Sequence, residues 1–473
     1  VDEVIGKVLK GEFWLPREPT KKWLGTLEFK SGYHGELDLQ QIEGSLSDPG
    51  FQLPVLHGSL TNHYGYAVTL YNVIIVGKQR YLDRPDYDLL SCVTNHVLFG
   101  GNYGPETDPN IYGIQLQLSG LANWCDSSGF GGEAMSPTPT EFAAELSYRP
   151  KPSIEIELPR GKRLGFSTSF SGPMLFKDLK RVSLAERDFI ELLFDHPISI
   201  EQVMGETLVW QTFLGLALRR ASYITQIRLQ MPGDPTGDFR HILFTPGSNP
   251  DANPRVLRRD VLFFRSTLGS HLESVLANWN SLYEKADKAI QLFAGVDYQV
   301  DAFYSTKLLS YLQCLEVLHR ELYPEESPFP SKDIWQKTLD TLRKALPEEL
   351  KPELRSELSK SLGFFGQMTL VQRLLALYDR SPTSLSQLFP DREGDMKFLK
   401  DIRNYLTHYG DSKVVDRNFF ISRHALILTL KCRFFLEIAL LSELGLTDTK
   451  IKEMLQGCDE YLWVKREIHR PTP

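Results

Sequence analysis

The stretch GDMKFLKDIRNYLTHYG, residues 394–410, decides how the C-terminal half of the chain folds. Met396, Leu399, Ile402 and Leu406 recur three and four positions apart, the spacing of one apolar helix face, and Gly410 supplies a stop. On that helix Arg403, Asn404 and His408 form an R-N-x-x-x-H pattern. Histidine titrates near neutrality, so His408 can move a proton to or from a ribose or leaving-group oxygen. Arg403 offers a planar guanidinium that grips a phosphate through two donors and offsets the charge that builds on its oxygens. Asn404 would orient one of these two neighbours. Such a trio suits the cutting of RNA without a metal.

Spacing alone leaves rivals. Arg265 to His271 and Arg417 to His424 have similar separations, and Asn418 even follows the arginine of the second pair. A surface arginine and a last-turn histidine complementing the helix dipole would also read this way. The regular apolar face around Arg403 favours the first pair.

Outward from this helix the pattern stays helical. LGSHLESVLANWNSLYEKADKAIQLF, YSTKLLSYLQCLEVLHRELY, IWQKTLDTLRKAL, TLVQRLLALYDR and HALILTLKCRFFLEIALLSELGL predict an all-α domain of five to seven helices over 257–473. The last of these is apolar around most of its circumference, but Lys431, Arg433 and Glu437 make it a buried bundle helix that a second protomer would help to cover, and no membrane span. Glu316 and His319 share a helix face. They could sit near Arg403 and His408, or Glu316 could form a bundle salt bridge with Arg320.

Before residue 246 the text changes. WLGTLEFK, GELDLQ, YAVTLYNVIIV, IYGIQLQL, SIEIELP and RLGFSTSF alternate in the manner of antiparallel strands, with GGNYGPETDPN and DSSGFGGEAMSPTPT as loops between them. The expected fold class is α+β multidomain: a β-rich domain, sandwich or barrel-like, over 1–245, then a linker at 246–256, then the helical bundle. From about residue 172 a mixed extension, with strands in RDFIELLF, YITQIRLQM and DFRHILFTP around the helical SIEQVMGETLVWQTFLGLALRR, is expected to pack on the sheet. Trp14, Trp23 and Trp124 lie in or beside apolar strands and read as core.

RNYLTHYG, with LLSYLQCLEVLHRELYP about ninety residues earlier, resembles the HEPN domain of the ApeA-type, abortive-infection-associated proteins. The opening GEFWLPREPTKKWLGTLEFKSGYHGELDLQ is similar to that family's W-L-P…G-x-L…L-x-L pattern through Trp14, Leu15, Pro16, Gly25, Leu27, Leu37 and Leu39, with Phe13 where a second Trp is expected. LHGSL, VTLYNV and LSGLANWCDSSGF continue the likeness in order, so it spans nearly the whole chain.

The resemblance implies a cytoplasmic anti-phage effector: a β-rich sensing region and a metal-independent HEPN endoribonuclease with Arg403, Asn404 and His408 as catalytic residues. It implies a homodimer or higher even-numbered assembly with a composite site, attack by the ribose 2′-OH, and 2′,3′-cyclic phosphate and 5′-OH products. RNA with exposed loops, tRNA above all, is the expected substrate, and a phage-encoded component of unknown identity the trigger. No cofactor, metal or membrane is expected. The alternative is a non-catalytic HEPN module that binds RNA or only dimerises. A carbohydrate-active β-domain lacks paired carboxylates.

Composition agrees with that class. At 473 residues the chain exceeds one core, and a net charge of -7 argues against a protein that coats nucleic acid. Residues 403–433 nonetheless hold Arg403, Lys413, Arg417, Arg423, Lys431 and Arg433 against Asp411 and Asp416, a balance of +4 that reads as a basic face or as a solvated helix surface. Cys92, Cys125, Cys314, Cys432 and Cys458 are scattered without metal-ligand spacing, which favours a reducing compartment and no structural zinc. His57, His63 and His96 match no ligand pattern. The start VDEVIGKVLKGEFWLP carries no signal peptide and no initiator Met, as expected of a processed or trimmed terminus.

Overall fold

A computed structural model describes residues 7–29, 34–42, 49–61, 66–81, 84–104, 109–138, 141–172, 184–235, 237–245, 256–326, 331–364, 366–408 and 417–468. The chain forms two compact units, Val1–Glu273 and Ser274–Pro473. The expected linker at 246–256 falls almost wholly outside the described residues.

In the first unit, strands β1 (Val8–Trp14), β2 (Trp23–Phe29), β3 (Gly35–Ile42), β4 (Gln52–Leu60), β5 (Tyr66–Tyr81) and β6 (Arg84–Phe99) pair antiparallel in the order β6-β3-β2-β1-β4-β5. β5 pairs back onto β6, which closes a six-stranded barrel. The period-2 alternation that predicts these strands also fills the barrel, with Leu9, Phe13, Leu27, Phe29, Leu37, Leu39, Leu56, Leu70, Val73 and Leu90 in one buried core. Opposite Phe13 in the ladder stands Gly58, where a Cβ would lie 2.7 Å from the phenyl ring. Only glycine leaves room for that ring.

β6 belongs to two structures. Its Tyr87–Thr94 part lies between β3 and β5, and beyond it Val97, Leu98 and Phe99 pair with β14 (His241–Phe244) on the edge that β3 has vacated. From there the sheet continues through β13 (Ile224–Gln230), β7 (Ile111–Leu118), β12 (Ala185–Ile198), β11 (Lys162–Ser171) and β10 (Ile154–Leu158). The extension beyond residue 172 is therefore part of the sheet, with β12, β13 and β14 as paired strands, and does not simply pack on it. Helix α1 (Leu121–Cys125) and helix α2 (Ile200–Leu218), the latter started by a Ser199–Gln202 capping box, are joined by rings: Trp124 lies 5.5 Å from Phe166 on β11 and 5.4 Å from Phe213 on α2. The chain after the linker returns to α2, where Leu262 N–H donates to the Ala217 carbonyl at 2.9 Å, and continues through α3 (Arg265–Leu268).

Two readings need correction here. DSSGFGGEAMSPTPT is not all loop: β8 (Phe130–Thr138) pairs with β9 (Glu141–Tyr148) as a separate ribbon, anchored where Phe130 and Tyr148 meet Phe170. Its glycines and prolines hid it, and the register shifts between Met135 and Thr138, around Pro137, which has no N–H to donate. Trp23 and Trp124 are core, but Trp14 is half-exposed, edge-on to His57 at 6.3 Å and under the Lys22 ammonium at 5.3 Å.

The second unit holds ten helices among the described residues, more than the five to seven expected: α4 (Leu272–Tyr298, kinked at Ala286), α5 (Tyr304–Leu322), α6 (Lys332–Lys344), α7 (Pro352–Phe364), α8 (Leu370–Tyr378), α9 (Pro382–Leu385), α10 (Arg392–His408), α11 (Arg423–Glu443), α12 (Asp448–Leu455) and α13 (Asp459–Ile468). The first two residues of α4, Leu272 and Glu273, belong to the first unit. α7, α9, α12 and α13 escaped because they are short or carry a weak apolar stripe. α11 is the axis of the bundle, packed by α5, α8, α9, α12 and α13, and every residue from Phe434 to Leu441 is buried within one protomer. Over that half of the helix the circumference is covered within one protomer, whereas Leu426, Ile427 and Leu430 in its first half are only half-buried. No helix among the described residues is long and apolar enough to cross a membrane.

Candidate active site

α10 is built as the sequence implies. Asp391 caps it, accepting from Gly394 N–H at 3.1 Å, while Asp395 reaches back to Asp391 N–H at 3.2 Å. Met396, Leu399, Ile402 and Leu406 are all buried, facing α5 and α8. The helix is described as far as His408, and the expected stop at Gly410 lies outside the described residues.

Arg403 follows the apolar stripe and so falls at the seam with α5. Its side chain is 29% exposed, and its Nη2 donates to Glu316 Oε2 at 3.4 Å. Its Nε is buried with no hydrogen-bond partner among the described residues. Glu316 is shared, since its Oε1 accepts from Arg320 Nη2 at 3.0 Å. Glu316 therefore sits beside Arg403 and also pairs with the exposed Arg320 four residues along α5, while no contact joins it to His408 among the described residues. Asn404 and His408 are exposed, and their side chains bond no other described residue.

Within one protomer α10 does not bring Arg403 and His408 onto one face. Five residues on a helix separate them by about 7.5 Å along the axis and about 140° around it. Beside Asn404, Tyr405 stacks on Phe420 at 5.6 Å and 12°, and Phe398 meets Phe419, so the turn Arg417–Ile421 rests on the motif helix through aromatic rings.

Behind Glu316 lies a second polar layer. His319 is fully buried on α5, with Nε2 at 3.0 Å from Glu326 Oε2 and Nδ1 at 3.3 Å from Arg373 Nη1. Burial first, and Arg373 after it, hold the imidazole below its usual pKa despite Glu326. Burial would raise Glu326, but Arg380 and His319 hold it below the usual carboxylate range. Arg380 lies 3.6 Å from the centre of the Tyr323 ring, whose hydroxyl donates to Glu443 and is pushed up to about 12 by burial and that carboxylate. Each member of this layer has a partner, which marks it as structural support for α5 and α8.

The rivals fare differently. Arg265 is spent on Ser127 Oγ at 3.0 Å, in the first unit. His424 is exposed in the first turn of α11, and the Arg417 and Asn418 side chains lie outside the described residues. Among the described residues, the cations of 403–433 do not line up as one basic face. Lys431 turns inward over Phe389 at 4.4 Å and toward Asp395 at 3.8 Å, and Arg433 bonds Glu437 at 2.8 Å and Asp297 at 3.1 Å. Arg423 pairs with Glu467 at 2.7 Å, and Lys413 lies outside the described residues. His57 bonds the Gly104 carbonyl at 3.0 Å, burial lowers the pKa of His96 from its usual value, and His63 lies outside the described residues. The link from Glu316 to Arg403 spans 87 residues, and no local pattern encodes it.

Residues 9–279 match the family model described as ApeA N-terminal domain 1, and residues 309–450 match that of the Apea-like HEPN. No curated protein and no solved structure matches the chain.

Proposed function

Because this chain belongs to the ApeA-like HEPN family, we propose that it is an anti-phage abortive-infection effector whose helical unit is a metal-independent endoribonuclease. The observation that carries the proposal is the placement of the motif: Arg403 anchored at one edge by Glu316, with Asn404 and His408 presented to solvent on the same helix.

The chemistry is transesterification. The ribose 2′-OH loses its proton and attacks the adjacent phosphorus, and the 5′-oxygen leaves with a proton, giving a 2′,3′-cyclic phosphate and a 5′-OH. His408 serves as the acid or base, Arg403 offsets the phosphoryl charge, and Asn404 orients one of them. Since a single α10 holds Arg403 and His408 about 140° apart, the reading places the site across a dyad, with the His408 of one protomer facing the Arg403 of its partner. Looped RNA such as tRNA offers the splayed nucleotides that in-line attack needs. The β-rich unit would sense the phage component that triggers cleavage, and the cytoplasm is where both are met.

The test is to incubate purified protein with total cellular RNA, with and without phage lysate, beside His408→Ala. Cleavage by the wild type alone supports the reading. Intact RNA under every condition would favour the alternative, a HEPN module that binds or dimerises without cutting.

A further inference from the structure

We infer that Glu316 is the positioning residue for Arg403: its carboxylate on α5 anchors one edge of the guanidinium, so that the other edge meets the phosphate. This rests on the ribonuclease reading and deepens it by naming what holds the arginine.

A guanidinium presents five N–H donors in a fixed plane. In Arg403, Nη2 is tied to Glu316 Oε2 and Nε is buried, while Nη1 bonds no described residue. The side chain is thus held at Nη2 and enclosed at Nε, which leaves Nη1 as the donor for a ligand. An arginine left to its own rotamers must be ordered as the transition state forms, whereas one held beforehand is not.

The same geometry argues against Glu316 as a mask. Its Oε1 is engaged by Arg320 at 3.0 Å, shorter than the 3.4 Å to Arg403, so its charge is divided between two cations and the catalytic candidate has the weaker share. A phosphate can approach Nη1 without displacing the carboxylate. Glu316 touches no substrate in this scheme and acts only through Arg403.

The experiment is a double-mutant cycle on RNA cleavage, with kcat and KM measured for wild type, Glu316→Ala, Glu316→Gln, Arg403→Ala and Glu316→Ala/Arg403→Ala. Glu316→Ala should lower kcat by at least about tenfold with a smaller change in KM. Glu316→Gln keeps an acceptor oxygen and should recover part of that loss. The double mutant should fall within about twofold of Arg403→Ala, because a residue acting through Arg403 has nothing left to position.

Glu316→Ala at or above wild-type activity would overturn the inference, as would a double mutant weaker than Arg403→Ala by the full Glu316→Ala factor. Should Glu316→Ala fail to fold, Glu316→Asp takes its place in the cycle, since it withdraws the carboxylate by one methylene and keeps its charge for Arg320. A wild type that cuts no RNA, or an Arg403→Ala that cuts as well as wild type, fails the ribonuclease reading and this inference with it. An active wild type with a fully active Glu316→Ala fails this inference alone.

Discussion

Arg373 Nη1 stands 3.3 Å from His319 Nδ1, and since a guanidinium can only donate, that ring nitrogen must accept. The imidazole is therefore the neutral Nε2–H form, donating to Glu326 at 3.0 Å. Protonation at Nδ1 would set two donors against each other in a buried site. His319 has its pKa lowered from 6.5 by burial, so the unfolded chain takes up the proton at a higher pH than the folded one. The stability this site supplies is complete above about pH 6.5 and is lost as pH falls through the lower folded value. Thermal melts should show a drop in Tm below about pH 6 that shrinks in His319→Gln, which cannot take the proton. An equal drop in both proteins would refute the assignment.

Arg403→Ala and His408→Ala should each lower RNA cleavage by about a hundredfold or more, to a small residual rate, and remove cellular protection, while leaving the melting curve of His408→Ala unchanged, because His408 is exposed. Arg417→Ala and His424→Ala should lower cleavage far less. Wild-type rates in either motif mutant would remove the motif from the chemistry.

If the site is shared across a dyad, mixing Arg403→Ala with His408→Ala chains should restore part of the activity that each lacks alone, since a mixed pair rebuilds one site with both groups intact. Specific activity should also fall on dilution below the dimer dissociation constant. A fully active species that sediments as a monomer would exclude a shared site.

Excess EDTA should leave cleavage unchanged, and a 2′-deoxy nucleotide at the cut site should block it. Activity lost in EDTA and returned by magnesium or manganese would mean a metal-assisted mechanism instead.

Arg433→Ala should cost about 3–5 kcal/mol of stability in urea unfolding, because it removes the cation that two buried carboxylates share. Glu437 is 0% and Asp297 7% exposed by side chain. Arg423→Ala, which breaks the half-exposed pair with Glu467 and removes the guanidinium from the Trp463 ring 5.7 Å away, should cost less than about 1 kcal/mol. Similar losses in both would mean that the buried triad is no more than a surface pair in energetic terms.

The strands that alternate cleanly were legible, because burial on one side writes a period of two into the sequence; IYGIQLQL corresponds residue for residue to β7. The ribbon of β8 and β9 was not, since its pairing is local and its composition is that of a turn. The apolar face of α10 was legible for the same reason as β7, with a different period. The charges near it were misleading. Lys431 and Arg433 look like surface from their type, yet partners as distant in sequence as Asp395 and Asp297 turn them inward. Arg403 could be named from its motif, while its anchor on α5 depends on how two helices cross, and no local spacing records that.

Because β6 forms a wall of the barrel at one end and a rung of the open sheet at the other, the β-rich unit has no internal seam at which it can be trimmed. A fragment ending after β7 would keep the barrel but lose β14, leaving Val97–Phe99 as a bare, apolar edge ready to recruit strands from other chains. Any smaller soluble piece of this unit must either carry the whole ladder to residue 244 or have that edge rebuilt with charge.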